Sequence, residues 1–467
     1  MMLPLGFIVF PYLYFQINKL KNYNNIKIYF FSGFLFGFGF LTSFLVWIIN
    51  PFLVYESTKL FAFLSILLII FLSLFFAISF ILFKYINNHF ISIITIPLIF
   101  VLIEITIANF AYGFPWVTFS LIISNNLLGL YLIKYFGTHF LSFLILCCFI
   151  FPVTIFFRKK INFIYKGITI FFIFFIVFMN FFFKGHLEAK NETVRKISVE
   201  LFQMNNPVNI VETPFSDRIY DSIANKIKNS DAEILIFAEN NFPYLLTDIN
   251  NLKINSLLRD NQKLIIGATR FDNYKYYNSI LVLDKDNSTF FDKKILVPYG
   301  EFLPLRQYLY FLETISGTVD FSPGSKKRIL KLTKNVNFIP VICYEIIFFQ
   351  ELINEKNNNA QILINITNDG WFGSNIGPYQ HFYLSKMKAA EFNKPLLRIS
   401  NNGISAIINN KGQVIKSTKL NTENQIRDEL LLYDNSNLLQ FHKYFNFVLV
   451  IFFITIICCV FYNKNEK

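Results

Sequence analysis

Apolar residues gather along the chain in unbroken runs, and these runs flank one long stretch of ordinary polarity. A bilayer crossing needs about 20 apolar residues. Runs of that order occupy 28 to 49, 60 to 83, 90 to 108, 137 to 157, 164 to 183 and 444 to 461, which predicts six spans. A further run, 3 to 16, holds Pro4 and Pro11 and lacks the charged leader and small-residue cleavage site of a secretory signal, so it reads as a short or truncated span. The stretch 112 to 133 opens Tyr112-Gly113-Phe114-Pro115-Trp116 and is broken by Ser and Asn. It either lies at the membrane interface or re-enters, and its aromatic start suits the headgroup layer.

The polar stretch alternates differently. Short β-rich runs at 197 to 203, 233 to 238, 263 to 269, 279 to 284, 337 to 342, 361 to 367, 396 to 400 and 403 to 408 are interspersed with helical periodicity. Ile219, Ile223 and Ile227 mark one helix face, and 378 to 394 reads as another helix. Asn409-Asn410-Lys411-Gly412, between two strand-like runs, is a hairpin turn by its Asn and Gly content. The pattern predicts three parts: a membrane domain over 1 to 184, an α/β domain over 185 to 443, and a C-terminal span with a short tail over 444 to 467. A segment of about 260 residues is long enough for one sizeable core.

Composition agrees with this division. The 467 residues are 54% hydrophobic and include 61 Phe, too apolar for an ordinary soluble protein. The formal net charge of +13 does not indicate nucleic acid, because the basic residues are dispersed and never alternate with aromatics as a binding groove requires. The lysines instead set orientation. Lys19, Lys21 and Lys27, then Lys84, then Arg158, Lys159, Lys160 and Lys166 fall in alternate loops, which the positive-inside rule makes cytoplasmic. The domain over 185 to 443 is then expected on the outer side.

Of five cysteines, Cys147, Cys148, Cys458 and Cys459 lie in apolar runs as small hydrophobes, and Cys343 stands alone in the polar domain. No disulfide framework is implied. Cys343 follows the apolar run 337 to 342, so it is expected at the C-terminal end of a buried strand, where reacting groups of α/β sheets collect. Glu239 ends a similar run, 233 to 238. A carboxylate there needs a partner or a raised pKa, and a raised pKa suits a general base. Lys293 has an ammonium suited to holding an oxyanion, with the Tyr344 N–H as a second donor. Each has a plain structural alternative: a core cysteine, a loop salt bridge, one lysine among many.

The order of these residues resembles the carbon-nitrogen hydrolase, or nitrilase, superfamily. The stretches that carry it are Ala238-Glu239-Asn240, FDKKILVPYGEFLP at 291 to 304, VICYE at 341 to 345 and NITNDGWFG at 365 to 373. PLLRISNNGISAI at 395 to 407, GFPW at 113 to 116 and the flanking spans narrow the resemblance to the apolipoprotein N-acyltransferase branch. That resemblance implies a polytopic α-helical membrane domain joined to an α-β-β-α sandwich. It implies Glu239 as general base, Lys293 as oxyanion stabiliser and Cys343 as nucleophile, with no metal and no cofactor. Glu301 and Glu345 match carboxylates the family keeps nearby, either orienting Lys293 or acting directly. Tyr344 and Trp371 either line a lipid entrance or belong to the core. The chain departs from the family in having Ala238 before the base, Ile295 two after the lysine, and Met204 after Gln203 with no nearby Trp. The family also has one more N-terminal span than is counted here, so either the start is late or the first helix is absent.

The implied activity is transfer of the sn-1 acyl chain of a glycerophospholipid to the N-terminal α-amino group of an S-diacylglyceryl-cysteine lipoprotein, through a Cys343 thioester. The implied setting is a bacterial inner membrane with the catalytic domain periplasmic, as a monomer, with phospholipid donor and lipoprotein acceptor and no nucleic acid. The alternatives are a membrane-tethered amidase or nitrilase-like hydrolase, in which water replaces the amine, and a non-catalytic lipid carrier.

Overall fold

A computed structural model describes residues 3–156, 193–249, 252–348, 359–433 and 442–465, with single positions at 167, 170 and 352. The expected span 164 to 183 lies outside the described residues. The chain divides into two compact units: Met1–Val46 with Phe63–Ala189 and Leu439–Lys467, and Trp47–Ala62 with Lys190–Leu438.

The first unit is helical. Helices α1 (Leu3–Leu20), α2 (Ile26–Phe44), α3 (Leu64–Phe80), α4 (His89–Asn109), α5 (Leu127–Ile150) and α8 (His442–Asn465) are its main elements. Among the described residues four stretches are long and apolar enough to cross a membrane: Ile26–Phe44, Glu56–Lys84, Ile91–Asn109 and Leu127–Ile150. The C-terminal helix has a shorter apolar run, Tyr444–Cys458. Small residues let α2 and α3 approach, because a Cβ on Gly33 would come within 2.6 Å of the Phe76 carbonyl.

The stretch 112 to 133 divides: an irregular part with a 3₁₀ turn at Phe119–Ile123, then α5, which starts ten residues earlier than the expected span. Gly137, with φ 74° and ψ 174°, breaks α5 where the sequence pattern places the start of a span. Irregular backbone inside apolar surroundings needs internal partners. Glu104 supplies them, accepting from the Phe119 N–H at 3.0 Å and the Thr118 hydroxyl at 2.9 Å, with His139 Nδ1 at 2.6 Å.

The second unit holds two six-stranded sheets. The first runs β12-β1-β2-β3-β4-β5 and the second β11-β10-β9-β8-β7-β6. Their ranges are β1 Thr193–Gln203, β2 Ile234–Phe237, β3 Lys263–Asp272, β4 Lys275–Leu283, β5 Ser288–Asp292, β6 Leu330–Thr333, β7 Val336–Ile342, β8 Ile362–Thr367, β9 Leu396–Ser400, β10 Ala406–Ile408, β11 Val414–Ser417 and β12 Asn424–Tyr433. Both sheets follow one plan. Three central strands are parallel (β1, β2, β3 and β7, β8, β9), and the outer strands pair antiparallel. Parallel strands covered on both faces read as continuous apolar runs, and β2, β8 and β9 are buried throughout.

The sheets face each other, with β4 against β7 and β2 and β1 against β9. Helix α6 (Ser216–Asn229) packs Ile219, Ile223 and Ile227 into a cluster with Leu235, Phe237, Leu264 and Leu281. Asp217 in its first turn and Lys226 and Lys228 in its last complement the helix dipole. Helix α7 (Ile376–Glu391) packs against β9, giving helix and sheet on each side. The hairpin between β10 and β11 closes at Asn409, whose N–H meets the Gln413 carbonyl at 2.9 Å, with Gly412 at φ 73°. The edge strands β5, β6 and β12 were not separable by pattern, since their exposed faces carry mixed residues, whereas β11 is the strand-like run after the hairpin turn.

The excursion Trp47–Ala62 belongs to this unit, although the sequence places its ends in two spans. Trp47 Nε1 donates to Gln380 Oε1 of α7 at 2.9 Å, and Asn50 Nδ2 donates to the Phe372 carbonyl at 2.8 Å.

Candidate active site

Strand β2 is apolar to its last residue and then stops at Ala238-Glu239-Asn240-Asn241. Asn240 takes φ 51° and the Asn241 side chain accepts from the Ala238 N–H at 3.0 Å, so the chain turns sharply and points Glu239 inward. Gly267 of β3 passes so close that a Cβ there would lie 2.5 Å from Glu239 Cα. Glu239 is 5% exposed. Its Oε1 accepts from Asn278 Nδ2 at 2.8 Å and its Oε2 from the Asn368 N–H at 2.8 Å, and the Cys343 thiol is its third partner. Burial raises its pKa; the nearby Lys293 charge opposes this and Glu301 reinforces it.

Lys293 follows β5. Its N–H donates to the Asn278 carbonyl and its carbonyl accepts from the Gly324 N–H, each at 2.8 Å. Its Nζ lies 2.8 Å from both oxygens of Glu301 and 3.8 Å from Glu239 Oε1. Burial works against the ammonium, but the charges of Glu301 and Glu239 prevail and hold it protonated.

Cys343 is the first residue beyond β7, with φ 50°, a left-handed conformation costly for a side chain with a Cβ. The turn lifts its sulfur out of the strand toward Glu239 and Thr367. Burial, then the Glu239 charge, pushes the thiol pKa up, so the resting sulfur is protonated. Glu345 fastens this elbow. It receives Arg328 at 2.6 and 2.7 Å, the Ile342 N–H at 2.9 Å, and the N–H groups of Lys294 and Ile295 at 2.8 and 3.1 Å. One carboxylate thereby joins the cysteine turn to the segment after Lys293. Burial is outweighed there by Arg328, and the pKa is lowered.

The structure brings Glu239, Lys293, Cys343 and Glu301 into one buried cluster. They do not come from adjacent strands: Glu239 and Lys293 sit at the ends of β2 and β5, with β3 and β4 between, and Cys343 comes from the other sheet. Tyr344 is buried, its ring edge-on to Phe348 at 5.1 Å. Trp371 is half-buried, against Tyr55 at 6.2 Å. Gln203 binds the Lys419 and Thr422 carbonyls at 2.8 and 2.7 Å and Met204 lies in the core beside α6, so neither reaches the cluster. Spacing singled out neither Asn278, whose Nδ2 bridges Glu239 and Glu301 at 2.8 and 2.9 Å, nor Arg328. Arg398, in the apolar strand LLRIS, was the one legible signal of a buried network.

Residues 1–151 match the apolipoprotein N-acyltransferase N-terminal domain, and residues 252–433 match the carbon-nitrogen hydrolase family. The chain is thus similar to the apolipoprotein N-acyltransferases in its N-terminal part and to the carbon-nitrogen hydrolases in its polar domain. Similar curated relatives are the apolipoprotein N-acyltransferases of Rickettsia typhi, 36% identical over 185 residues (39% of this chain, 36% of that one), and Rhizobium etli, 40% identical over 202 residues (40% and 37%). The chain thus matches between 36 and 37% of the length of these two N-acyltransferases. Among solved structures, a carbon-nitrogen hydrolase superfamily protein of Xanthomonas campestris is similar over 51% of this chain and 91% of its own, at 14% identity and TM-score 0.39. A nitrilase-superfamily member of Saccharomyces cerevisiae is similar over 52% and 93%, at 19% identity and TM-score 0.39.

Proposed function

We propose that the chain is a membrane-bound acyltransferase that moves the sn-1 acyl group of a glycerophospholipid onto the α-amino group of a diacylglyceryl-cysteine lipoprotein. The observation that carries this reading is the buried contact between the Cys343 thiol and Glu239, with the Lys293 ammonium 3.8 Å from the same carboxylate. In the first step the Cys343 sulfur forms a bond to the ester carbonyl carbon while its proton passes to Glu239. Because the resting thiol is protonated, proton transfer and attack occur together. The carbonyl oxygen becomes an oxyanion held by Lys293 and the Tyr344 N–H. As the tetrahedral species collapses, the ester C–O bond breaks, Glu239 returns the proton to the leaving alkoxide, and lysophospholipid departs.

A thioester remains. The neutral amine of the lipoprotein attacks it, Glu239 takes the amine proton, and as the C–S bond breaks Glu239 returns that proton to sulfur, giving an amide and the free thiol. The two half-reactions share one carboxylate and one oxyanion site, so kinetics are ping-pong. Membrane spans would keep the site with two lipid-anchored substrates, and the lysine-rich alternate loops support a catalytic domain on the outer, periplasmic face of the inner membrane.

Mass spectrometry of the full-length protein isolated from membranes tests the reading. A fatty-acyl adduct on Cys343 that disappears on adding a diacylglyceryl-cysteine peptide is expected, with N-acylated peptide formed in equal amount. Release of free fatty acid with no peptide product would establish a hydrolase instead, and full transfer by Cys343→Ala would remove the mechanism.

A further inference from the structure

Beneath the Cys343 elbow lies a second buried polar network that the acyl transfer above does not use. Thr367 ends β8, which runs parallel to β7 with Ile366 opposite Ile342, so the pairing register carries Thr367 alongside Cys343. Its hydroxyl reaches the Cys343 sulfur and also donates to Asp369 Oδ1 at 3.0 Å. Asp369 in turn faces His381 Nδ1 at 2.8 Å and accepts from Arg398 Nη2 at 2.7 Å. Arg398 also donates to Asn365 Oδ1 at 2.6 Å, and Asn365 Nδ2 donates to the Val341 carbonyl at 3.2 Å, two residues before the nucleophile. The His381 ring also feels the Cys343 backbone. Thr367, His381 and Arg398 are fully buried, and Asp369 is 1% exposed.

We propose that Thr367 is a hydrogen-bond donor that turns from Asp369 to the Cys343 sulfur when the thiol loses its proton, and that Asp369, His381 and Arg398 are its positioning residues. The inference rests on Cys343 being the nucleophile of the reading above. In the resting site the S–H points to Glu239, leaving the Thr367 hydroxyl hydrogen on Asp369. As Glu239 takes the thiol proton, negative charge builds on sulfur, and rotation of one hydroxyl hydrogen brings a donor to it. The Thr367 hydroxyl exchanges its hydrogen bond to Asp369 for one to sulfur, and no covalent bond of Thr367 changes. Asp369 tolerates the loss because His381 and Arg398 remain on it.

A carboxylate in this place is suited to the task because it never competes for the proton. Burial opposes its charge, but Arg398 and His381 hold its pKa far below the usual carboxylate range. Gly403 lets the backbone pass close to this carboxylate, since a Cβ there would lie 2.1 Å from Asp369 Oδ2. The ionisable groups facing Cys343 are therefore Glu239 after β2, Lys293 after β5 and Asp369 after β8, with His381 of α7 on its backbone and Arg398 of β9 behind Asp369.

The test is alkylation of Cys343 by iodoacetamide in the full-length, detergent-solubilised protein, followed by mass across the thiol titration. Thr367→Val is expected to slow alkylation about tenfold, the kinetic equivalent of one hydrogen bond to a charged atom, and to move the pH midpoint upward. Thr367→Ser is expected to restore both. A Thr367→Val profile superimposable on wild type overturns the inference, as does a Thr367→Ser profile as slow as that of Thr367→Val. If wild-type Cys343 alkylates with the expected series yet takes no acyl group from phospholipid, the acyl-transfer reading fails and the hydrogen-bond assignment stands.

Discussion

Two buried carboxylates flank the cysteine turn, and their partners differ in kind. Glu345 has both oxygens engaged by Arg328 and three backbone N–H groups. Glu239 has an amide N–H, one backbone N–H, a thiol and a lysine that is closer to Glu301 than to it. The consequence is opposite protonation behaviour, lowered at Glu345 and raised at Glu239. A saturated carboxylate is a fastener, and an under-partnered one beside a thiol can accept a proton. Burial alone does not distinguish the two.

The largest effect expected from this contrast is on chemistry. Glu239→Gln removes the proton acceptor and is expected to lower acylation of Cys343 by about a thousandfold, measured as the rate of thioester formation. Its melting temperature in detergent should be unchanged or higher, because a carboxylate whose folded pKa is raised loses stability as pH rises through the window above its unfolded value, and Gln carries no such charge. A large fall in stability would show that Glu239 is a fastener after all.

Glu345→Gln should do the reverse. Leaving Arg328 buried without its partner costs about 3 to 5 kcal/mol, seen as a lower melting temperature. In the wild type this contribution is complete above the ordinary glutamate pKa of about 4.3 and is lost as pH falls through the lower folded value. Thermal melts of wild type and variant should therefore converge on acidification, and parallel curves would exclude the linkage.

Asn278→Leu is an intermediate case. It takes a donor from Glu239 and Glu301 together, and about 2 kcal/mol of lost hydrogen bonding to charged groups predicts a fall in acylation of roughly thirtyfold with a modest change in melting temperature. The smallest effect is expected at the excursion Trp47–Ala62: Trp47→Phe deletes one hydrogen bond to Gln380, worth about 1 kcal/mol in stability, with thioester formation little changed. A thousandfold loss there would mean that this excursion reaches the chemistry.

Much of this contrast was hidden in the sequence. VICYE places Cys343 and Glu345 two residues apart and gives no sign that one faces Glu239 while the other turns to Arg328. Continuous apolar runs announced β2, β7, β8 and β9, because central parallel strands are buried on both faces. The edge strands β5, β6 and β12 carried no comparable signal, since one face meets solvent. The break at Gly137 was invisible for a related reason: a glycine in an apolar run does not reveal its φ.

Local pattern by itself determined the apolar spans, the α/β character of the polar domain and the strand-end positions of Glu239 and Cys343, because each depends on hydrophobic periodicity over fewer than about twenty residues. Motif wording added the resemblance to a family. Only the tertiary structure decided which groups meet: Lys293 with Glu301, Asn278 between two carboxylates, and Asp369 under Thr367. The energies of these contacts depend on distance and burial in the folded chain, which sequence spacing does not encode.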